Sequence, residues 1–249
     1  MQQSESKIAL LIDADNAPAS KIDAIVSEIA KYGVANIRKA YGNWKSPSLK
    51  TWEECLPEYA IRPVQQFDYT KGKNATDAAM IIDAMDLLYT QQLDAFAIVS
   101  SDCDFTLLVM RILTNGLKVY GFGEKKTPLP FVSACSTFLY LETIDQSVNT
   151  ETTKVSASVK QTTKELKQNT KLISLLRSAV SSTQDDDGWS NLAEIGGHIA
   201  NQASFDPRNY GYAKLSGLFE AIDLFEIQRK NKAVYVRSKQ KNGTNIKGT

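Results

Sequence analysis

Histidine is almost missing from this sequence: His198 is the only one in 249 residues. That scarcity excludes His-rich metal sites and most imidazole acid–base catalysis from the N-terminal part of the chain. Cysteine is scarce too. Cys55, Cys103 and Cys135 are odd in number and widely spaced, a pattern of neither a disulfide framework nor a zinc knuckle. A metal bound in the N-terminal part must then be held by oxygen. No apolar run approaches the roughly 20 residues that cross a bilayer, so no membrane span is expected. Met1 to Lys7 lack the basic-then-apolar order of a secretory signal, and a cytoplasmic, reducing compartment is expected. The net charge of +1 selects no partner by itself, but its distribution is uneven. From Ile227 to Thr249 there is no acid and there are seven Lys or Arg, whereas the aspartates gather in the N-terminal half.

What is present first is a short buried strand that ends in acids. Ile8 to Ile12 are five apolar residues in a row, enough for a strand covered on both faces and too few for a helix. They run into Asp13, Asp15 and Asn16, and parallel sheets present their chemistry at the carboxyl edge of such strands. In an extended chain Asp13 and Asp15 share a side, so they repel unless a cation or a proton intervenes.

Strand and helix signals then alternate. Helical spacing from Pro18 to Gly33 is followed by strands at Asn36 to Tyr41 and Ile61 to Gln65, with a helix over Ser46 to Tyr59 between them. After a loop from Phe67 to Asn74, a helix is predicted from Asp77 to Thr90. Thr76 or Asn74 would cap it, and Ala78, Ile81, Ile82, Met85 and Leu88 would form its apolar side. Ala95 to Val99, Leu117 to Tyr120 and Phe138 to Leu141 read as strands, with a helix over Leu107 to Leu113 closed by Asn115 and Gly116. The fold class is α/β: an open, mainly parallel, Rossmann-like sheet with helices on both faces. From Asp145 to about Asn169 the composition turns to Ser, Thr, Gln and Lys, which reads as a linker. Beyond it, three helical segments and two alternating strands joined by Lys230, Asn231 and Lys232 make a small winged helix-turn-helix.

Four acids can reach one edge of the sheet: Asp13 after the first strand, Asp77 at a helix start, and Asp102 and Asp104 after the strand at Ala95 to Val99. Singly, each has a structural explanation, since aspartate caps helices and favours their positive ends. Together they raise the electrostatic energy unless they share a hard cation, and magnesium or manganese suits carboxylate and water oxygens. Cys103, between two of the acids, reads as a packing residue. At 100° per residue Asp83 lies about 120° round the helix from Asp77 and Asp86 about 180°, so both are read as solvated or structural. Lys71 and Lys73 precede Asp77 and either contact a phosphate backbone or sit in a solvated loop.

Leu11 to Asn16, Lys71 to Asp77 and Val99 to Phe105 resemble, in order, the motifs of the NYN domain, a family with the PIN-like nuclease fold. The resemblance spans roughly Lys7 to Asp145. It implies a magnesium- or manganese-dependent ribonuclease with Asp13, Asp77, Asp102 and Asp104 as the metal-binding acids and Asn16 and Ser101 as supporting polar residues. Serine is the commoner residue between the last two acids, so Cys103 is a departure that leaves both in place. Leu172 to Arg237 resembles the OST-HTH or LOTUS domain, chiefly through Phe205 to Leu215. That likeness implies RNA binding or, in some members, contact with a protein. Arg229, Lys230 and Lys232 at the wing tip offer phosphate contacts; Tyr210 and Tyr212 either stack on a base or fill the space between two helices. The expected division is a nuclease domain over residues 1–145, a flexible linker over 146–169, the winged helix over 170–238 and a basic disordered tail over 239–249.

Two other readings use the same residues. Asp13-Ala14-Asp15 after a strand imitates the nucleophile and acid of a phosphatase of the haloacid dehalogenase type, with an aspartyl-phosphate on Asp13. That mechanism makes no use of Ser101 to Phe105. The other is a non-catalytic adaptor for RNA or protein that keeps the acids as a metal or structural site.

Overall fold

In the first strand, β1 (Lys7–Asp13), every residue after Lys7 is buried, because its alternate side chains feed two different cores. Ile8, Leu10 and Ile12 enter one core, and Ala9 and Leu11 the other. The computed structural model describes residues 5–67, 75–144, 160–231 and 233–239. They fall into two compact units: residues up to 144 together with Ala203–Asn209, and the remainder from residue 160 onward.

In the first unit β1 is joined by β2 (Val34–Gly42), β3 (Arg62–Gln65), β4 (Ala95–Val99), β5 (Lys118–Gly123) and β6 (Thr137–Tyr140). The sheet is parallel throughout, in the order β3-β2-β1-β4-β5-β6. Helices α1 (Ile22–Ile29), α2 (Lys50–Cys55) and α6 (Leu141–Ile144) cover one face through Ile22, Ile25, Trp52 and Leu141. Helices α3 (Ala75–Thr90), α4 (Thr106–Thr114) and α5 (Leu129–Ala134) cover the other through Met80, Leu108, Ile112 and Phe131. All six predicted strands are present, and Gly116, at φ +82°, ends α4 as the Asn-Gly signal requires.

Helix α3 departs from the reading of its sequence. It starts at Ala75, so Thr76 is inside it and is not its cap, and Asn74 lies outside the described residues. Its buried side is Thr76, Asp77, Met80, Ala84, Leu87 and Leu88, whereas Ala78 is exposed and Ile82 is 63% exposed. The segment is apolar nearly all round, so periodicity leaves its rotation open. The packing of Met80, Ala84, Leu87 and Leu88 into the core and the bond from Thr76 to Asp15 go with the observed rotation.

Ala203–Asn209 completes the first unit. Asn209 Nδ2 donates to the Phe138 carbonyl at 2.8 Å and its Oδ1 accepts from the Tyr140 amide at 3.2 Å, which occupies the otherwise open edge of β6. Arg208 donates through both Nη atoms to the two oxygens of Glu28, at 2.7 Å each, and also to Asp206.

The second unit contains α7 (Thr163–Gln168), α8 (Thr170–Thr183), β7 (Ser190–Asn191), α9 (Leu192–Gln202), α10 (Leu215–Ile222), β8 (Phe225–Lys230) and β9 (Ala233–Ser238). Its antiparallel sheet has the order β7-β9-β8. Helix α7 lies in the stretch read as a linker, which is a correction to that reading. Thr162 and Glu165 form a reciprocal capping box, and Leu166 is fully buried, so local capping and one apolar anchor outweigh the polar composition. Residues 145–159 and the tail from 240 onward lie outside the described residues. No helix among the described residues is long and apolar enough to cross a membrane.

Candidate active site

Strands β1 and β4 are neighbours from which the sheet is wound in opposite directions, and such a switch point opens a crevice beyond the carboxyl ends of the two strands. Asp13 ends β1 and pairs with Tyr41 of β2. Ile12 pairs with Val99 at the end of β4, so Ser100 leaves the sheet beside Asp13. Ser100 Oγ donates to Asp13 Oδ2 at 2.7 Å and accepts from the Asp102 amide at 3.0 Å. Asn16 Nδ2 donates to the same carboxylate oxygen at 3.0 Å. Asp13 Oδ1 is buried and has no hydrogen-bond partner among the described residues.

Burial raises the pKa of Asp13, the donors on Ser100 and Asn16 pull it back, and the charge of Asp15 adds to the rise. Asp77 is buried in the first turn of α3, and its carboxyl is pushed up to about 6. Burial is the largest cause; the charges of Asp13, Asp102, Asp104 and Asp15 follow in that order. Asp13, Asp102, Asp104 and Asp15 therefore all act on Asp77. Asp13, Asp77 and Asp102 pair with no described lysine or arginine.

Asp102 caps the short 3₁₀ turn Cys103–Phe105, its Oδ1 accepting from the Asp104 amide at 2.9 Å. Asp102, Cys103 and Asp104 offer ligand atoms that lie within 4.8 Å of one another, the one such group among the described residues, and Asp13 and Asp77 are not part of it. Cys103 is exposed and so is not the packing residue its sequence context implied. The turn points its neighbour Phe105 into the core instead. Asp15 also differs from expectation. β1 ends at Asp13 and residues 14–16 turn, so strand alternation does not put Asp13 and Asp15 on one side; their coupling is electrostatic.

Ser101 Oγ accepts from the Glu124 amide at 2.9 Å, which ties the loop after β4 to the end of β5. Gly123 is needed there, because a Cβ on it would stand 2.6 Å from the Ser100 carbonyl oxygen. Sequence reasoning missed two positions. Ser100 lies within the Val99 to Phe105 motif without standing out there, and its role depends on β4 lying next to β1, which no local pattern reveals. Thr76 Oγ1 donates to Asp15 Oδ2 at 2.9 Å and so fastens α3 to the turn after β1.

Of the residues named for RNA contact, Lys71, Lys73 and Lys232 lie outside the described residues. In the second unit Arg229 pairs with Glu220 on the surface and Lys230 is exposed. The Tyr212 hydroxyl donates to the Gln161 carbonyl at 2.8 Å, and Lys160 Nζ lies 5.8 Å from its ring centre. Tyr210 is half-buried and accepts from the Gln161 amide through its carbonyl.

With acids gathered at the switch point of a parallel sheet, the comparison that decides the family is the NYN domain model, which matches residues 7–142. The chain belongs to the NYN domain family. The OST-HTH/LOTUS domain model matches residues 166–237 of the same NYN protein. A solved protein of unknown function from Vibrio parahaemolyticus is 21% identical, with a TM-score of 0.45 over 56% of this chain and 95% of its own. No protein with a curated description matches. NYN and PIN-like nucleases generally use divalent metals, and the Asp-rich cluster at the β1/β4 edge fits that habit. The domain content is that of an RNA-related nuclease joined to an RNA-binding module.

Proposed function

We propose that this NYN protein is a ribonuclease dependent on magnesium or manganese, cutting RNA phosphodiesters beside Asp13, Asp77, Asp102 and Asp104. The observation that carries the reading is Asp77. Its carboxyl is raised to about 6 by burial and by four neighbouring carboxylates, and Asp13, Asp77 and Asp102 pair with no described lysine or arginine. A divalent ion is the partner that relieves that repulsion and suits an all-oxygen donor set. Asp13 Oδ1, buried and without a hydrogen-bond partner among the described residues, has spare capacity of the kind a bound cation fills.

When bound, the ion supplies Lewis-acid stabilisation of charge developing on the phosphoryl oxygens and activation of water for attack. The protein's own residues do the rest. Ser100 and Asn16 both hold Asp13 Oδ2 and so commit Oδ1 to ligation. Asp102 orders the turn that carries Asp104, and Ser100 fixes the Asp102 backbone. Thr76 holds Asp15 at the margin, where its charge strengthens the demand for a cation. No side-chain nucleophile is needed. In the second unit the exposed Lys230 and Arg229 offer phosphate contacts that retain the RNA, and Tyr210 and Tyr212 are the aromatics offered to its bases. A protein partner at the same surface is the alternative occupant, and a steep loss of binding with salt distinguishes RNA from it.

The test is cleavage of a labelled single-stranded RNA by the full chain. Cleavage should require magnesium or manganese and stop in EDTA; equal rates with and without EDTA would remove the assignment. Turnover of small phosphomonoesters with trapping of Asp13 by beryllium fluoride would instead establish the phosphatase reading. Ser100→Ala removes a donor that orients a proposed ligand and should lower the metal-dependent rate by roughly 10- to 100-fold with the fold intact.

A further inference from the structure

The carboxyl edge that carries the acids continues across β2 and β3, and on that flank the chain exposes an aromatic ring beneath a cation. Gly42 ends β2 and pairs with Gln65 at the end of β3, and the Gln66 amide still donates to the Gly42 carbonyl beyond them. Lys45 and Phe67 therefore leave two adjacent parallel strands at the edge where Asp13 ends β1. Phe67 is 43% exposed, and Lys45 Nζ lies 5.0 Å from its ring centre. Strand spacing places this flank about 10 Å from β1, within the reach of a nucleotide next to the one being cut. The backbone also links the two places. A Cβ on Gly42 would meet Leu49 Cδ1 at 2.6 Å and Asp15 Oδ1 at 3.3 Å, so the exit from β2 runs against the acid site itself.

Hydrogen bonds fix the two segments that lead to the ring and the cation. Trp44 Nε1 donates to the Val64 carbonyl at 2.9 Å, pinning the segment after β2 onto β3. Gln65 Nε2 donates to Asn43 Oδ1 and to the Gln66 carbonyl, both at 3.0 Å. Phe67 offers a flat surface for the base of an unpaired nucleotide once the flexible Lys45 side chain swings off the ring face, and Lys45 then offers a positive charge for its phosphate. A base inside a duplex is stacked on its neighbours and cannot use that surface.

We propose that Phe67 and Lys45 form a subsite for one unpaired nucleotide flanking the scissile phosphate, with the base stacked on Phe67 and a phosphate held by Lys45. This proposal rests on the ribonuclease reading, and it makes the site selective for single-stranded RNA. The experiment uses the full chain with Phe67→Trp, in EDTA so that nothing is cut, titrated with the trinucleotide ApApA and with a short RNA duplex. The fluorescence gained by Phe67→Trp over the parent should be quenched saturably by ApApA and little by the duplex. Adding Lys45→Ala should weaken that binding roughly 10-fold, the scale expected on losing one stacking or phosphate contact. In cleavage, Phe67→Ala should raise KM for single-stranded RNA roughly 10-fold with kcat little changed, and Phe67→Tyr should restore it. Emission indifferent to ApApA, or a KM that Phe67→Ala leaves unchanged, would overturn the subsite. Quenching is read without turnover, so a parent that fails to cut RNA sinks the ribonuclease reading while the fluorescence still decides the subsite.

Discussion

Asp77→Asn is expected to abolish metal-dependent RNA cleavage and, at the same time, to raise the melting temperature of the metal-free protein. The two effects share a cause. The folded chain holds Asp77 at about 6, against its ordinary 3.8, because burial and then the charges of Asp13, Asp102, Asp104 and Asp15 disfavour the anion. A carboxyl raised on folding contributes stability that is full below 3.8 and lost as the pH rises through about 6. At pH 7.5 the metal-free fold therefore carries a charge it disfavours, and the neutral amide relieves it. A gain near 1 kcal/mol would raise the melting temperature by about 2–4 °C in a chain of this size. Cleavage should fall by roughly 10²-fold or more, because one preorganised negative group of the charge-stabilising site is gone. In the parent at subsaturating metal, where the metal-free form predominates, the rate should fall as the pH drops below about 6, because a proton then competes with the cation for Asp77. Calorimetry in EDTA and a pH–rate profile read both halves. A variant that is less stable, or as active as the parent, would contradict the account.

Arg208→Ala should have the opposite signature, a large loss of stability. Glu28 is only 2% exposed, and burial alone would push its pKa up. The donors on Arg208 and Lys31 outweigh that and hold it at about 2, well below its ordinary 4.5. A carboxyl lowered on folding contributes stability that is present above 4.5 and lost as the pH falls through about 2, the reverse of Asp77. Removing Arg208 takes away the two-pronged contact and leaves Glu28 buried with only Lys31 and Tyr32. The expected cost is about 3 kcal/mol, the lower end for a broken buried pair because two partners remain. Urea unfolding at pH 7 checks it. Glu28→Gln placed on Arg208→Ala should recover part of the loss, since it removes the stranded charge; no recovery would assign the cost to lost packing.

Local pattern revealed the sheet and the acids but not their connections. Ile8 to Ile12 and Ala95 to Val99 were readable because both faces of those strands are covered, so the apolar run is unbroken. Asp13, at the end of one such run, and Asp102 and Asp104, in the short loop after the other, could be placed near a strand end from the sequence. The role of Ser100 was not readable, because its partner is 87 residues away in the chain and becomes a neighbour only through the pairing of β1 with β4. Of the apolar side read for α3, Ile81, Met85 and Leu88 do pack toward the core while Ala78 and Ile82 are exposed, because Met80, Ala84 and Leu87 take the centre of the buried face and Thr76 is tied to Asp15. Helix α7 was legible in principle: Thr162 and Glu165 stand at capping-box spacing, a signal that a composition-based reading passes over.

The most direct test of the central claim is manganese binding to the metal-free full chain, followed by calorimetric titration at pH 7.5 and again at pH 5. The account predicts saturable binding at pH 7.5 that weakens by roughly tenfold or more at pH 5, as Asp77 takes up a proton. It also predicts that the binding is lost in both Asp77→Asn and Asp102→Asn. Manganese bound with the same affinity by the parent and both variants, or by none of them, would contradict it.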